Sequence, residues 1–358
     1  MKKTGTVFGK VLLTVVILLL IGAGVAGFLT SMLGRERDGA AYSADLEGYE
    51  SAKFAPVGDG FAAMSEVAIR VFGDSGATAG TVSRNYPDGV LIGGKNAAAA
   101  WSSGGTEFSV LKADGTGYDL SFSGGVTNAD LNDEGYAVVL AGEKGYKGSV
   151  SVIRPDGEAI YRVYVGSGYP VDADLSPDSR ELAILSLTAK GSRVSIYSLD
   201  REEPEHEWTG DTVFFELEYL SGGRIFLLAS DRAATLSGDG KSDRAYSFGG
   251  EFLKDYTVSE NSVVLVLGKH QTGSSGRIVL LDQSCSAVAQ RQTETEIRSL
   301  SAAGKRLAVR YSDAITVYDW ELNALGSLES AAGADAAFIR SDGSAIIISG
   351  GGAAIFEP

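Results

Sequence analysis

Apolar positions follow two different rules in this chain. From Val11 to Leu33 the sequence VLLTVVILLLIGAGVAGFLTSML runs without a charge. That length matches the roughly 20 apolar residues an α-helix needs to cross about 30 Å of hydrocarbon. From about Leu46 onward the long run is replaced by short β-rich stretches bounded by turn residues, and no helical periodicity returns. ADLSPDSRELAILSL (173–187) shows the unit: a strand end, a turn at Pro177-Asp178, then an apolar run suited to a strand buried on both faces. Its counterparts are ADLNDEGYAVVL (129–140), LEYLSGGRIFLL (217–228), YTVSENSVVLVL (256–267), RSLSAAGKRLAV (298–309) and AFIRSDGSAIII (337–348). Aligned on the apolar residue before each turn, the repeat marks are Leu131, Leu175, Tyr219, Val258, Leu300 and Ile339, with weaker marks near Val57 and Ile92. Asp-Gly turns recur in a second phase, at Asp114-Gly115, Asp156-Gly157 and Asp239-Gly240, each after a β-rich run.

Each unit accommodates four short strands, for example 170–175, 180–187, 192–199 and 205–209. Four strands per period of about 40–45 residues describe a propeller blade. The spacing therefore predicts an all-β propeller over residues 46–358, with eight blades, or seven as the alternative. The last repeat stops after three strands, and Tyr42 to Tyr49 is placed to supply the missing outer strand. Closing the ring in this way removes an exposed sheet edge.

The first segment sets the expected address. Lys2, Lys3 and Lys10 precede the apolar run, whereas Arg35 and Arg37 after it are offset by Glu36 and Asp38. The positive-inside rule places residues 1–10 in the cytoplasm, 11–33 in the membrane and 34–358 outside, with 34–45 as a tether. The alternative is secretion after signal-peptide cleavage, with Gly24-Val25-Ala26 before a cut at Gly27. Gly22 to Gly27 reads GAGVAG and matches the dinucleotide fingerprint GxGxxG in form only, because it lies inside the span. Small residues four apart there suit helix packing in lipid.

Composition narrows the function. Lys and Arg number 31 against 46 Asp and Glu, a net charge of −15, which argues against nucleic acid as a partner. Gly is abundant at 47 and Pro scarce at 7, in keeping with many tight turns. A single Cys rules out a disulfide scaffold or a cysteine zinc site, and two His leave little for acid–base work. No GxSxG elbow, Walker loop, HExxH or kinase signature occurs.

The chain resembles WD40-like and quinoprotein-like propellers. More specifically, it is similar to an uncharacterised family of single-span propeller proteins from Gram-positive bacteria. The resemblance rests on Lys2-Lys3 with the span, on FAPVGDGFAAMS (54–65) and on SPDSRELAIL (176–185). The Gly-His and Trp-Asp pairs of true WD40 repeats are absent, and Asp319-Trp320 has the reverse order. Only Trp208 and Trp101 are placed as blade-end tryptophans, so no quinone cofactor is implied. The family carries no assigned activity to transfer.

One pattern stands out among candidate sites. Three residues before the mark stand Asn128, Asp172, Glu216 and Asp255, then Ile297 and Ala336; one residue before it stand Asp130, Asp174 and Glu218, then Thr257, Ser299 and Phe338. The first strand of a blade lines the channel and residues two apart share a side, so both sets are expected to face it. Such a carboxylate band has three readings: a solvated wall, a site for Ca²⁺ or a cationic ligand, or an acid–base pair. Asp172, Asp174 and Asp178 lack the Gly and Glu of a calcium loop. His206, His270 and Cys285 are expected in surface, turn and buried roles. Tyr161, Tyr164, Tyr197, Phe214 and Phe215 are expected to pack between blades. The resulting expectation is a non-enzymatic, membrane-anchored module outside the cell that binds an envelope protein or glycan, with no cofactor. The rivals are a hydrolase using channel carboxylates and a cofactor-dependent enzyme.

Overall fold

The computed structural model describes residues 42–358 apart from 43, 50, 51, 260 and 332. The predicted span at 11–33 and most of the tether lie outside the described residues. Among those described, no helix is long and apolar enough to cross a membrane.

Eight four-stranded antiparallel sheets make up the described residues, seven of them simple meanders in sequence order. Blades 1 to 8 span residues 53–83, 89–121, 126–165, 169–210, 214–247, 252–293, 297–328 and 336–356. The all-β propeller of eight blades is therefore the observed fold, and seven is discarded. Blade 8 takes its three inner strands from the C-terminal repeat and its outermost from Ala44–Asp45, which pairs with Gly352–Phe356. Leu46, Tyr49 and Ala44 are buried there against Ile346, Ile348, Phe61 and Phe72.

The second strands are sealed on both sides, as in Gly60–Met64, Ala137–Ala141 and Ile225–Ala229, whereas fourth strands such as Gly117–Ser121 alternate outward. Burial on both faces explains why their sequences read as unbroken apolar runs. Eight apolar clusters hold the ring, and each draws its residues from two adjacent blades. Between blades 2 and 3, for instance, Trp101 and Phe108 (ring centroids 5.8 Å apart) meet Val126, Leu131 and Val139. The inner faces come so close that a Cβ on Gly93 of blade 2 would lie 1.9 Å from the Pro56 carbonyl oxygen of blade 1.

The meander sorts its loops onto two faces. The upper face carries the loops between second and third strands and the links from one blade to the next; the lower face carries the other hairpins. The Asp-Gly hairpins lie below and are longer than a two-residue turn. Gly115 N–H donates to the Lys112 carbonyl while Lys112 N–H donates to that of Thr116, and Gly115 alone takes positive φ (+82°). This is a three-residue loop with a bulge. Blades 6 and 7 build the same turn with Cys285 and Leu322 at φ +60°, which hides it from a search for Asp-Gly.

Candidate functional site

Each inner strand of blades 3 to 7 carries a β-bulge near its upper end. The ladder skips Thr127, Val171, Phe215, Lys254 and Arg298 in turn. A bulge re-aims the side chains around it, and the residue after each one is Asn128, Asp172, Glu216, Asp255 and Ser299. The repeat mark of blade 7 is thus Ala302, two residues beyond the Leu300 read from sequence. Its first hairpin turns within Ala303–Arg306, while the longer turn of blade 4 separates Leu175 from Leu182. Ser299 and Ser301, rather than Ile297 and Ser299, occupy the candidate positions there.

The acidic residues share one stretch of the ring but not one role. Asp172 and Asp174 are buried, not water-facing. Asp172 Oδ2 accepts from the Leu217 N–H of blade 5 at 2.6 Å, and Oδ1 accepts from its neighbour Ala173 and from Asn128 Nδ2 of blade 3 at 2.9 Å. Asp174 repeats the device, with Oδ2 accepting from Tyr219 N–H at 2.7 Å and Oδ1 from Leu175 at 2.6 Å. In blade 7, Ser301 Oγ accepts from Ile339 N–H at 3.0 Å in the same repeat position. These side chains staple one blade to the next where no strand ladder can, satisfying N–H groups that burial would leave unpaired.

Asp130, Glu216, Glu218 and Asp255 are half-buried along the channel. Burial pushes the carboxyl of each above its ordinary range, and neighbouring carboxylates push further on Glu216 and Glu218. Asp172 and Asp174 are raised well up for the same two reasons. Asp130 lies beside Asp174, and its charge adds to the effect of burial in raising the Asp174 carboxyl. The Tyr256 hydroxyl donates to Glu216 and partly offsets its rise. Among the described residues no group of three or more His, Cys, Asp or Glu is arranged to hold a metal.

The remaining candidates scatter. Asp178 accepts from Ser176 Oγ at 2.7 Å in a lower-face turn, away from Asp172 and Asp174. His206 opens the outer strand of blade 4 and His270 sits in an upper loop of blade 6. Cys285 lies in the turn before its outer strand; it is buried, and its thiol is pushed up to about 12, chiefly by desolvation. Trp101 and Trp208 are packed in blade interfaces.

Aromatic positions required the structure. Phe214 is buried and Tyr161 and Tyr197 are half-buried, but Tyr164 and Phe215 stand out in solvent. Tyr169, Val213 and Phe252 are exposed as well, and all three lie six residues before their marks, at the upper start of inner strands in blades 4, 5 and 6. That common offset was the available signal.

A family model described as "Family of unknown function (DUF5711)" matches residues 40–325. No curated protein matches the chain. Among solved structures, the C-terminal WD40 domain of Sif2 superposes with a TM-score of 0.64 at 12% identity, covering 89% of this chain and 98% of that one. BamB from Moraxella catarrhalis gives 0.55 at 13% identity, covering 89% and 97%. Sqt1 of Chaetomium thermophilum, bound to the N-terminus of the ribosomal protein L10, gives 0.60 at 11%, covering 89% and 100%. At these identities the likeness is one of fold.

Proposed function

We propose, for a chain that belongs to the DUF5711 family of unknown function, that the ring is a non-enzymatic binding or scaffolding module. It is held at the outer face of a cell membrane by residues 11–33 and engages an envelope protein or glycan. One observation carries the reading: the buried channel carboxylates Asp172 and Asp174 are engaged in joining blades, while exposed aromatic and aliphatic side chains gather on the upper face. Side chains committed to backbone N–H groups are poor acid–base catalysts, because moving their protons or charges loosens the ring. The buried Cys285 thiol is likewise no nucleophile at neutral pH. A ring of this fold holding a polypeptide, as Sqt1 holds the N-terminus of L10, supports the same use here. Sequence supports the address, through the uncharged span and the lysines before it.

Photocrosslinking from upper-face positions in intact cells, followed by recovery of the full chain from membranes, tests the reading. A partner recovered reproducibly, and lost when Phe215 and Phe252 are changed to Ser, is the expected result. Recovery of no envelope component from any position, or retention of a stoichiometric cofactor by the purified chain, would remove it.

A further inference from the structure

The upper rim of blades 4 to 6 differs from the rest of the ring. Tyr169, Val213 and Phe252 occupy one repeat position in three consecutive blades and are 58%, 58% and 45% exposed. Phe215, on the bulge of the middle blade, is 42% exposed. Blades 3, 7 and 8 carry Gly125, Glu296 and Gly333 at the same position. Single exposed apolar residues need no explanation, but one repeat position left apolar and exposed in three consecutive blades does. Just inside it, three residues further along the same strands, lie Asp172, Glu216 and Asp255, with Asp130, Asp174 and Glu218 deeper. The leading influences on Glu216 are desolvation, the Tyr256 hydroxyl and another carboxylate. The exposed apolar positions and the acid-lined channel mouth therefore coincide in the same blades.

We infer that this rim is the docking site for an extended polypeptide segment with a lysine or arginine between apolar residues. The apolar neighbours rest on Val213, Phe215 and Phe252, flanked by Tyr169, whose ring already faces the Lys147 ammonium at 4.6 Å, and the cationic side chain enters the channel toward Glu216 and Asp255. Charge complementarity selects this occupant. A long basic side chain carries apolar stem and distant charge together, and so matches an apolar lip above an acidic wall. An anionic glycan is repelled by the wall, and a neutral one brings no positive charge to match it. Val213 in the middle blade of the three also offers no ring for a sugar to stack on. This assignment rests on the binding reading above and names its face and partner class.

The test uses the full chain in detergent micelles and two capped fluorescent peptides, identical except for arginine or glutamate at the centre, flanked by leucine and phenylalanine. Fluorescence anisotropy is expected to show binding of the arginine peptide only, weakening as salt rises. Phe215→Ser or Phe252→Ser is expected to weaken it about tenfold or more, the scale of an interface anchor. Glu216→Gln and Asp255→Asn together should weaken it likewise with the thermal midpoint retained, whereas Ile160→Ser and Val288→Ser on outer strands leave it unchanged. Equal binding of the glutamate peptide, or full binding by the rim variants, overturns the assignment. The two readings fail separately. Cellular crosslinks formed from Ile160 but not from Phe215 overturn the rim and leave the binding module standing. Arginine-selective binding that needs the rim, with no envelope partner in cells, supports the rim and removes the proposed role.

Discussion

Carboxylates in the channel and carboxylates in the lower-face turns have opposite effects on stability as pH changes. Asp130 is raised by burial, and Asp172, Asp174 and Glu218 by burial and by neighbouring carboxylates, so all four hold protons more tightly folded than unfolded. Their contribution is complete below the unfolded carboxylate range and is lost as pH rises through the raised values. Asp114, Asp156 and Asp239 are lowered by turn hydrogen bonds, Asp239 to about 2, and their contribution is lost as pH falls through the lowered values. The thermal midpoint, followed by calorimetry at fixed ionic strength, should therefore decline from pH 5 to pH 8. Glu218→Gln should raise the midpoint at pH 8 and flatten the decline; an unchanged slope would mean that the wall ionises freely in water. Asp174→Ala has the reverse sense, because Tyr219 N–H is left buried and unpaired. A loss of about 1–3 kcal/mol in denaturant unfolding is expected, and the same for Asp172→Ala at Leu217.

At the level of strands and turns, the unbroken apolar runs were legible, because burial between two neighbouring blades writes itself into sequence as a continuous stretch. The period and the eight starts followed from them. Register was less legible. The bulges at Val171 and Phe215 leave no mark in composition, and the short Ala303–Arg306 hairpin displaced the seventh repeat by two residues. Turns built on Cys285 and Leu322 escaped because positive φ in a non-glycine residue has no residue signature. For the candidate site, the acidic series at Asp130, Asp172, Asp174, Glu216, Glu218 and Asp255 was visible. All six follow their bulges at the same two repeat positions, so the division into staples and channel wall rests on which carboxyls reach an N–H of the next blade, as Asp172 and Asp174 do. The Gly115 turn gives a direct check. Ala at that position must keep φ near +82° with its Cβ 2.1 Å from the Ala79 carbonyl oxygen of blade 1, so Gly115→Ala should cost more than the about 1 kcal/mol of a left-handed alanine alone. Denaturant midpoints would measure it.

Across the molecule, no cluster belongs to a single blade, so stability is distributed around a closed circuit. Loss of one join should be felt by both neighbours. Leu46→Ala, in the join of blades 8 and 1, should cost about 2–5 kcal/mol and lower one cooperative transition rather than release a separate early one. Two resolved calorimetric transitions would contradict that circuit. The strand Ala44–Asp45 fastens the first described residues to Gly352–Ala353, nearly the last. During synthesis these segments emerge far apart in time: Leu46 and Tyr49 leave the ribosome first and meet Ile346 and Ile348 only after the seven blades between them have been made. Until then that apolar seam stays open, and any chaperone that serves the chain has the interval in which to act.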